Sequence, residues 1–149
     1  MPWVITGYFV SAFLFNVSDC INQLVLPSHF FVSDNSSVVS KLINPAKPDP
    51  LASAVGYIAP CISAPWWEEV LYRGFMLPAL TVLFPVNVSV FLSAIIFSFH
   101  HLTLTGFLPL ASLGVAWAGI YVLSGNLLVT MVIHAMWNSR VFLGGWLGL

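Results

Sequence analysis

The sequence predicts an all-α fold, a multi-spanning transmembrane bundle of about five to six helices. Hydrophobic residues make up 59% of the 149 residues and charged residues only 6%, whereas soluble domains carry about 25% charged residues. Such a chain cannot cover a water-facing surface, so we expect an integral, multi-pass membrane protein in contact with lipid. At about 20 residues per spanning helix, the length allows one domain with five or six crossings.

The apolar segments follow one another with one polar interruption. Residues 2–17 form a first membrane segment within residues 1–17, a little short for a full span, and residues 18–50 form a polar loop outside the membrane. Residues 51–149 form the transmembrane core. Pro65 suits the first turn of a helix, which predicts a helix over residues 65–80. The other predicted membrane segments of the core are residues 51–64, 87–102, 107–123 and 127–142.

The two glutamates of the chain are neighbours, Glu68 and Glu69, and Arg73 follows them in the same apolar stretch. A charge near the centre of a membrane helix costs roughly 2.5–3.5 kcal/mol on insertion scales, so this cluster indicates chemistry rather than solubility. Glu69 and Arg73 lie about 40° apart on a helix, in the favourable order for an ion pair. Glu68 points elsewhere and remains available as a general base. The alternative is a pair that only anchors two helices, with Glu68 at the water interface.

Two further apolar segments carry polar groups at a comparable depth. His101 ends the segment 87–102, and His134 lies inside the last segment with Asn138 four residues later. His134 and Asn138 project from one helix face, and both need hydrogen-bonding partners in lipid. Together with Glu68, these residues predict a shared polar cavity in the bundle.

Three motifs on separate apolar segments resemble the CPBP (Abi) family of intramembrane proteases. They are Glu-Glu-x-x-x-Arg over residues 68–73, Phe-x-x-x-His over 97–101 and His-x-x-x-Asn over 134–138, in this order. The family includes the type II CAAX prenyl endopeptidases, and the resemblance covers roughly residues 51–142. It implies an intramembrane endopeptidase that acts on membrane-associated peptide or protein substrates, of which prenylated CAAX-type proteins are the best known. The residues in and around these motifs are similar to those of plant and cyanobacterial members. This similarity implies a plastid membrane, with the endoplasmic reticulum as the alternative.

The resemblance also implies roles for six residues: Glu68, His101, His134 and Asn138 as catalytic residues, and Glu69 with Arg73 as supporting residues. Glu68 would activate the attacking water with the help of His101, inside a polar catalytic cavity. His134 and Asn138 would stabilise the oxyanion of the tetrahedral intermediate. No cofactor is expected, because the chain lacks His-Glu-x-x-His and the resemblance favours a metal-free mechanism, although two histidines and a glutamate leave zinc open.

Other functional classes remain open from the sequence. The same fold can serve as a non-proteolytic scaffold or immunity-type protein, in which case the biological role would survive loss of Glu68 and His134. His101 and His134 could instead hold a haem or pigment, which an absorption spectrum would reveal. A net charge of −1 provides no basic surface for nucleic acid, so no nucleic-acid partner is expected.

Overall fold

The computed structural model describes residues 2–33 and 50–147, and within these ranges every regular element is a helix. The helices are α1 Pro2–Val25, α2 Ser28–Ser33, α3 from Pro50–Ile58 through to Leu77–Thr81, α4 Val86–His100, α5 Phe107–Ser124 and α6 Leu127–Leu147. Residues 34–49, which hold most of the predicted polar loop, lie outside the described part of the chain. Within the described part of the chain, three helical segments are long and apolar enough to cross a membrane: Pro2–Val25, Phe107–Ser124 and Leu127–Gly144. The predicted all-α membrane bundle is confirmed.

The first helix is longer than the sequence predicted, since α1 continues to Val25 instead of ending at residue 17. Its last turns carry polar side chains that are buried against other parts of the bundle. The Ser18 hydroxyl lies 2.9 Å from that of Ser112 on α5, and the Asn22 amide donates to the Thr105 carbonyl. Because these polar side chains find hydrogen-bond partners on neighbouring elements, they can be buried within the helix, and α1 continues through them. At 24 residues, α1 exceeds the roughly 20 needed for a span.

The third helix is one continuous run, whereas the sequence predicted two segments that meet at Pro65. The residues at its four internal junctions all have right-handed helical torsion angles: Ile58, Ser63, Glu69 and Met76. Two stretches are π-helical, Ala59–Ser63 and Val70–Met76, and the α-helical turn Ala64–Glu69 lies between them. The prolines widen this helix and do not end it.

Proline accounts for the first π-helical stretch. Pro60 and Pro65 have no backbone N–H, so the ordinary hydrogen-bond pattern of an α-helix cannot run through them. The N–H of Ala64 donates instead to the carbonyl of Ala59, five residues earlier, which is the π-helical pattern. In that register the Pro60 carbonyl would accept from residue 65, which is itself a proline. The Pro60 carbonyl therefore needs a donor from outside α3.

The buried core is centred on α5. Trp117 and Leu113 of this helix are almost completely buried, as are Phe97 of α4 and Ile133 of α6. Tyr72 of α3 joins the same cluster, and side chains of α1 pack against its edge. The core thus lies where α1, α3, α4 and α6 meet α5, and this is also where the polar residues of the next section are found.

A glycine allows the close approach of α5 to α4. A Cβ at Gly114 would lie 2.9 Å from the Cβ and 3.0 Å from the Cα of Ala94. Since the Ala94 backbone cannot turn aside, Gly114→Ala forces the two helices apart, and overpacking of this kind costs about 1–3 kcal/mol. We expect a lower unfolding temperature in detergent. The matched control is Gly119→Ala on the same helix, where a Cβ meets nothing within 4 Å; equal losses in both variants would contradict the packing explanation.

Candidate active site

The ion pair expected from the sequence is present and fully buried. Arg73 Nη1 donates to Glu69 Oε1 at 2.9 Å, and the two side chains are 1% and 0% exposed. Arg73 Nη2 also donates to the Gly114 carbonyl at 3.3 Å. The guanidinium carbon lies 4.7 Å from the centre of the Phe97 ring, within the range of a cation–π contact. These contacts fix Arg73 and Glu69 between α3, α4 and α5.

Glu69 has a second partner that the sequence did not reveal. Its Oε1 also accepts a hydrogen bond from His134 Nδ1 at 2.9 Å, across 65 residues of sequence. Because a carboxylate can only accept, Nδ1 of His134 carries the proton. The other ring nitrogen, Nε2, then faces Glu68, with 3.8 Å between it and Glu68 Oε2. Glu69 therefore fixes the orientation of the His134 ring.

His101 approaches the same oxygen from the end of α4. Its Nδ1 lies 2.9 Å from the Phe97 carbonyl, which also can only accept, so this nitrogen is the donor. His101 Nε2 is left 4.0 Å from Glu68 Oε2. The Nε2 atoms of two histidines on different helices thus face one carboxylate oxygen. The structure brings together three of the four predicted catalytic residues.

Glu68 makes few polar contacts. Its Oε2 is buried and has no hydrogen-bond partner among the described residues, while its side chain as a whole is 22% exposed. The His101 side chain is 29% exposed and that of His134 only 3%. The group is therefore accessible from the His101 side and closed on the His134 side, where Trp117 stacks on the imidazole.

Asn138 lies one turn beyond His134, but its amide is directed to a different partner. Asn138 Nδ2 donates to the Pro60 carbonyl at 2.8 Å, which supplies the donor that Pro65 lacks. This contact joins α6 to the first π-helical stretch of α3. The oxyanion role expected for Asn138 stays a prediction. No sequence signal marked Pro60 as its partner, since the two residues are 78 apart.

Comparison with known proteins identifies the family. The protein-family model described as type II CAAX prenyl endopeptidase Rce1-like matches residues 50–140. The chain belongs to this family. No curated protein and no solved structure shows a significant match. The family predicted from the motifs is confirmed. The Rce1-like region holds all six predicted site residues, five of them within α3 and α6 and the sixth, His101, directly after the last residue of α4.

Membership of the Rce1-like family also agrees with the physical character of the chain. The family consists of CAAX-type peptidases, and three helical segments of this member are apolar and long enough to span a bilayer. The chain is an integral membrane protein. α1 and α2 precede the matched residues, so the Rce1-like region comprises α3 to α6.

The polar atoms around Glu68 lie slightly farther apart than the ligand atoms of a tetrahedral zinc ion. Tetrahedral zinc with ligands at 2.0–2.2 Å holds its ligand atoms roughly 3.3–3.5 Å apart, whereas the Nε2 atoms of His101 and His134 lie 4.0 and 3.8 Å from Glu68 Oε2. Two tetrahedral hydrogen-bond partners of one water, each about 2.8 Å from it, would lie roughly 4.6 Å apart, so the observed separations fall between the two cases. Within the described ranges, no group of three or more His, Cys, Asp or Glu has the arrangement of a metal site.

The contact of Asn138 with Pro60 can be tested in this Rce1-like chain. Asn138→Ala leaves the half-buried Pro60 carbonyl without this donor. A fully buried unpaired polar group costs about 1–3 kcal/mol, so the cost here should lie towards the lower end of that range. We expect a clear drop in the unfolding temperature, and a larger one for Asn138→Asp, whose carboxylate faces the carbonyl with a second acceptor. The control is Ser139→Ala, which removes the neighbouring hydrogen bond from Tyr57 to Ser139. An Asn138→Ala variant as stable as the wild type would show that the Pro60 contact contributes nothing.

Proposed function

We propose that this protein is an intramembrane endopeptidase in which Glu68 activates a water molecule to hydrolyse a peptide bond of a membrane-associated, prenylated CAAX-type substrate. The observation that carries the proposal is the Oε2 atom of Glu68, which has no hydrogen-bond partner among the residues that the structure describes and lies 4.0 and 3.8 Å from the Nε2 atoms of His101 and His134. With the Nδ1 proton of His101 directed to the Phe97 carbonyl, His101 Nε2 and Glu68 Oε2 are two hydrogen-bond acceptors that face one position. A water molecule supplies the hydrogens that these acceptors lack.

The proposed first step is attack by this water. Glu68 removes one proton while the oxygen attacks the substrate carbonyl, and His101 Nε2 accepts the second hydrogen and so orients the nucleophile. The protonated Glu68 then passes its proton to the departing amine nitrogen as the carbon–nitrogen bond breaks. The products are a carboxylic acid, which keeps the second hydrogen of the water, and an amine; proton transfer between them gives a carboxylate and an ammonium group, and Glu68 is regenerated as a carboxylate.

Oxyanion stabilisation is proposed for His134. With Nδ1 bound to Glu69, His134 can donate from Nε2 only as an imidazolium, and two carboxylates, those of Glu68 and Glu69, lie at 3.8 and 2.9 Å to balance that charge. Together with Arg73, the site then contains two positive and two negative groups. Asn138 keeps one amide hydrogen beyond the one given to Pro60, and we propose that this hydrogen also serves the oxyanion.

A direct test uses two synthetic peptides that end in a CAAX sequence, one farnesylated on its cysteine and one not. The purified full chain in detergent should release the last three residues of the farnesylated peptide, as detected by mass spectrometry. Cleavage of both peptides at the same rate would support the peptidase activity and contradict recognition of the prenyl group. Absence of cleavage with either peptide, and with membrane protein substrates, would overturn the proposal and favour a non-proteolytic role.

The mechanism requires no metal ion, which gives a separate prediction. Treatment of the purified protein with a chelator should leave the rate of peptide cleavage unchanged, and added zinc should not raise it. Elemental analysis of the same sample checks the result. Stoichiometric zinc whose removal abolishes cleavage, and whose return restores it, would contradict the glutamate–water mechanism.

The membrane in which the protein acts is part of the proposal. The amino-acid sequences of the motifs, which are similar to those of plant and cyanobacterial members, support a plastid membrane over the endoplasmic reticulum. Fractionation of the native membranes, followed by detection of the chain with an antibody, distinguishes the two.

A further inference from the structure

The indole of Trp117 lies against the imidazole of His134. The two ring centres are 4.2 Å apart and the ring planes are inclined by 34°, so one face of the imidazole is covered by the indole. Trp117 is 1% exposed and His134 is 3% exposed. Trp117 therefore restricts the plane of the ring whose Nδ1 is held by Glu69.

The indole is in turn held by a residue of α1. Trp117 Nε1 donates to Ser11 Oγ at 2.9 Å, and Ser11 Oγ donates its own hydrogen to the Gly7 carbonyl at 2.7 Å. A hydroxyl has one hydrogen, so with that hydrogen on Gly7 the Ser11 oxygen presents only lone pairs to the indole. Ser11 is 0% exposed, which leaves no access for water to replace it.

The same part of α1 is closely seated on the helix that carries His134. A Cβ at Gly7 would lie 2.5 Å from Ile133 Cδ1 and 2.9 Å from Ile120 Cδ1. Ile133 immediately precedes His134. Contact at Gly7 and the hydrogen bond at Ser11 thus fix α1 against the turn of α6 and the turn of α5 that meet at the imidazole.

We propose that Ser11 is a positioning residue that acts through Trp117 on His134, so that α1 forms part of the catalytic unit although it precedes residues 50–140 of the family match. Glu69 fixes Nδ1, and the Ser11–Trp117 pair fixes the ring plane, which together direct Nε2 towards Glu68. An indole face is also the strongest aromatic partner for a cation, which stabilises the imidazolium during turnover. The kinetic consequence rests on the proposed peptidase function, whereas the effect on the His134 ring does not.

The test compares Ser11→Ala with Ser18→Ala. Ser18 lies seven residues along α1 and makes a matching contact with α5, 2.9 Å from the Ser112 hydroxyl, but it does not touch Trp117 in the described structure. The two variants are examined in the full chain by thermal unfolding, by ¹⁵N NMR of labelled histidine with His134 assigned from a His134→Ala sample, and by kcat and KM for the farnesylated peptide.

We expect Ser11→Ala to shift the ring ¹⁵N signals of His134 and to lower kcat on the order of tenfold at unchanged KM, because misplacing a catalytic group by about 1 Å can cost up to about 100-fold. Ser18→Ala should match it in stability while leaving the His134 signals and kcat as they are. In a Trp117→Phe background, which lacks the indole N–H, Ser11→Ala should have no further effect on kcat.

Unchanged His134 signals in Ser11→Ala, or the same shift in Ser18→Ala, would overturn the positioning role. A wild-type protein that cleaves no peptide would contradict the proposed peptidase function and not the positioning role of Ser11. In that case the His134 signals of the two serine variants still decide whether Ser11 positions the ring.

Discussion

Glu68→Gln is expected to abolish peptide cleavage while the protein remains folded. Loss of a general base lowers rates by about 10²–10⁴-fold. The substitution keeps the shape of the side chain, and the carboxylate oxygen it alters has no hydrogen-bond partner among the described residues. The new amide can donate to His101 Nε2, so stability should be retained. The measurement is the cleavage rate of the farnesylated peptide per amount of folded protein.

The matched control for this variant is Asp19→Asn. It removes one carboxylate from the same protein at a half-buried position outside the site, where Asp19 accepts a hydrogen bond from Gln23 at 2.7 Å. Cleavage in Asp19→Asn should stay close to the wild-type rate. Equal rates in Glu68→Gln and Asp19→Asn would refute Glu68 as the base.

Arg73→Met should have the largest effect on stability. It leaves Glu69 buried without its cation, and breaking a buried ion pair in this way costs about 3–5 kcal/mol. It also removes the donor to the Gly114 carbonyl and the guanidinium that lies over Phe97. We expect a strongly reduced unfolding temperature in detergent. Arg140→Met is the control, because that exposed cation lies 5.1 Å from the Trp137 ring centre, and a contact of this kind at an exposed site contributes only about 0.5–1 kcal/mol.

The double variant Glu69→Gln with Arg73→Met separates stability from catalysis. Replacing both charges removes the uncompensated carboxylate, so most of the lost stability should return. Cleavage should remain low, since the carboxylate that balances a His134 imidazolium is gone. A double variant less stable than Arg73→Met alone would show that the charge pair is not the main cause of the loss.

The sequence was sufficient where a structural feature depends on local pattern. The predicted segments 87–102, 107–123 and 127–142 correspond to α4, α5 and α6 with small differences at their ends. Apolar composition defines these helices, and a turn separates the last two at Gly125, whose φ of 62° is left-handed. The Glu69–Arg73 ion pair followed from four-residue spacing alone.

The sequence was insufficient where a side chain depends on a partner far along the chain. Ser18 and Asn22 were interpreted as loop residues because they are polar, yet their partners on other elements keep them in a buried helix. The bond between Glu69 and His134 has the same origin, because it forms only when α3 and α6 are packed together. The contact of Trp117 with His134 is likewise tertiary, and the sequence around an aromatic residue in an apolar helix does not predict such a contact.

The two π-helical stretches of α3 affect how its glutamates are directed. Each widened turn holds an extra residue, which changes the angular phase of everything beyond it by up to about 100° relative to a regular α-helix. The turn Ala64–Glu69 lies between two such changes. The direction in which the acidic pair points can therefore differ from the direction that the turns at either end of the same helix would give it. One helix thereby keeps Glu69 buried in the bundle while the neighbouring side chains of Trp66, Trp67 and Phe75 remain exposed on its outer side.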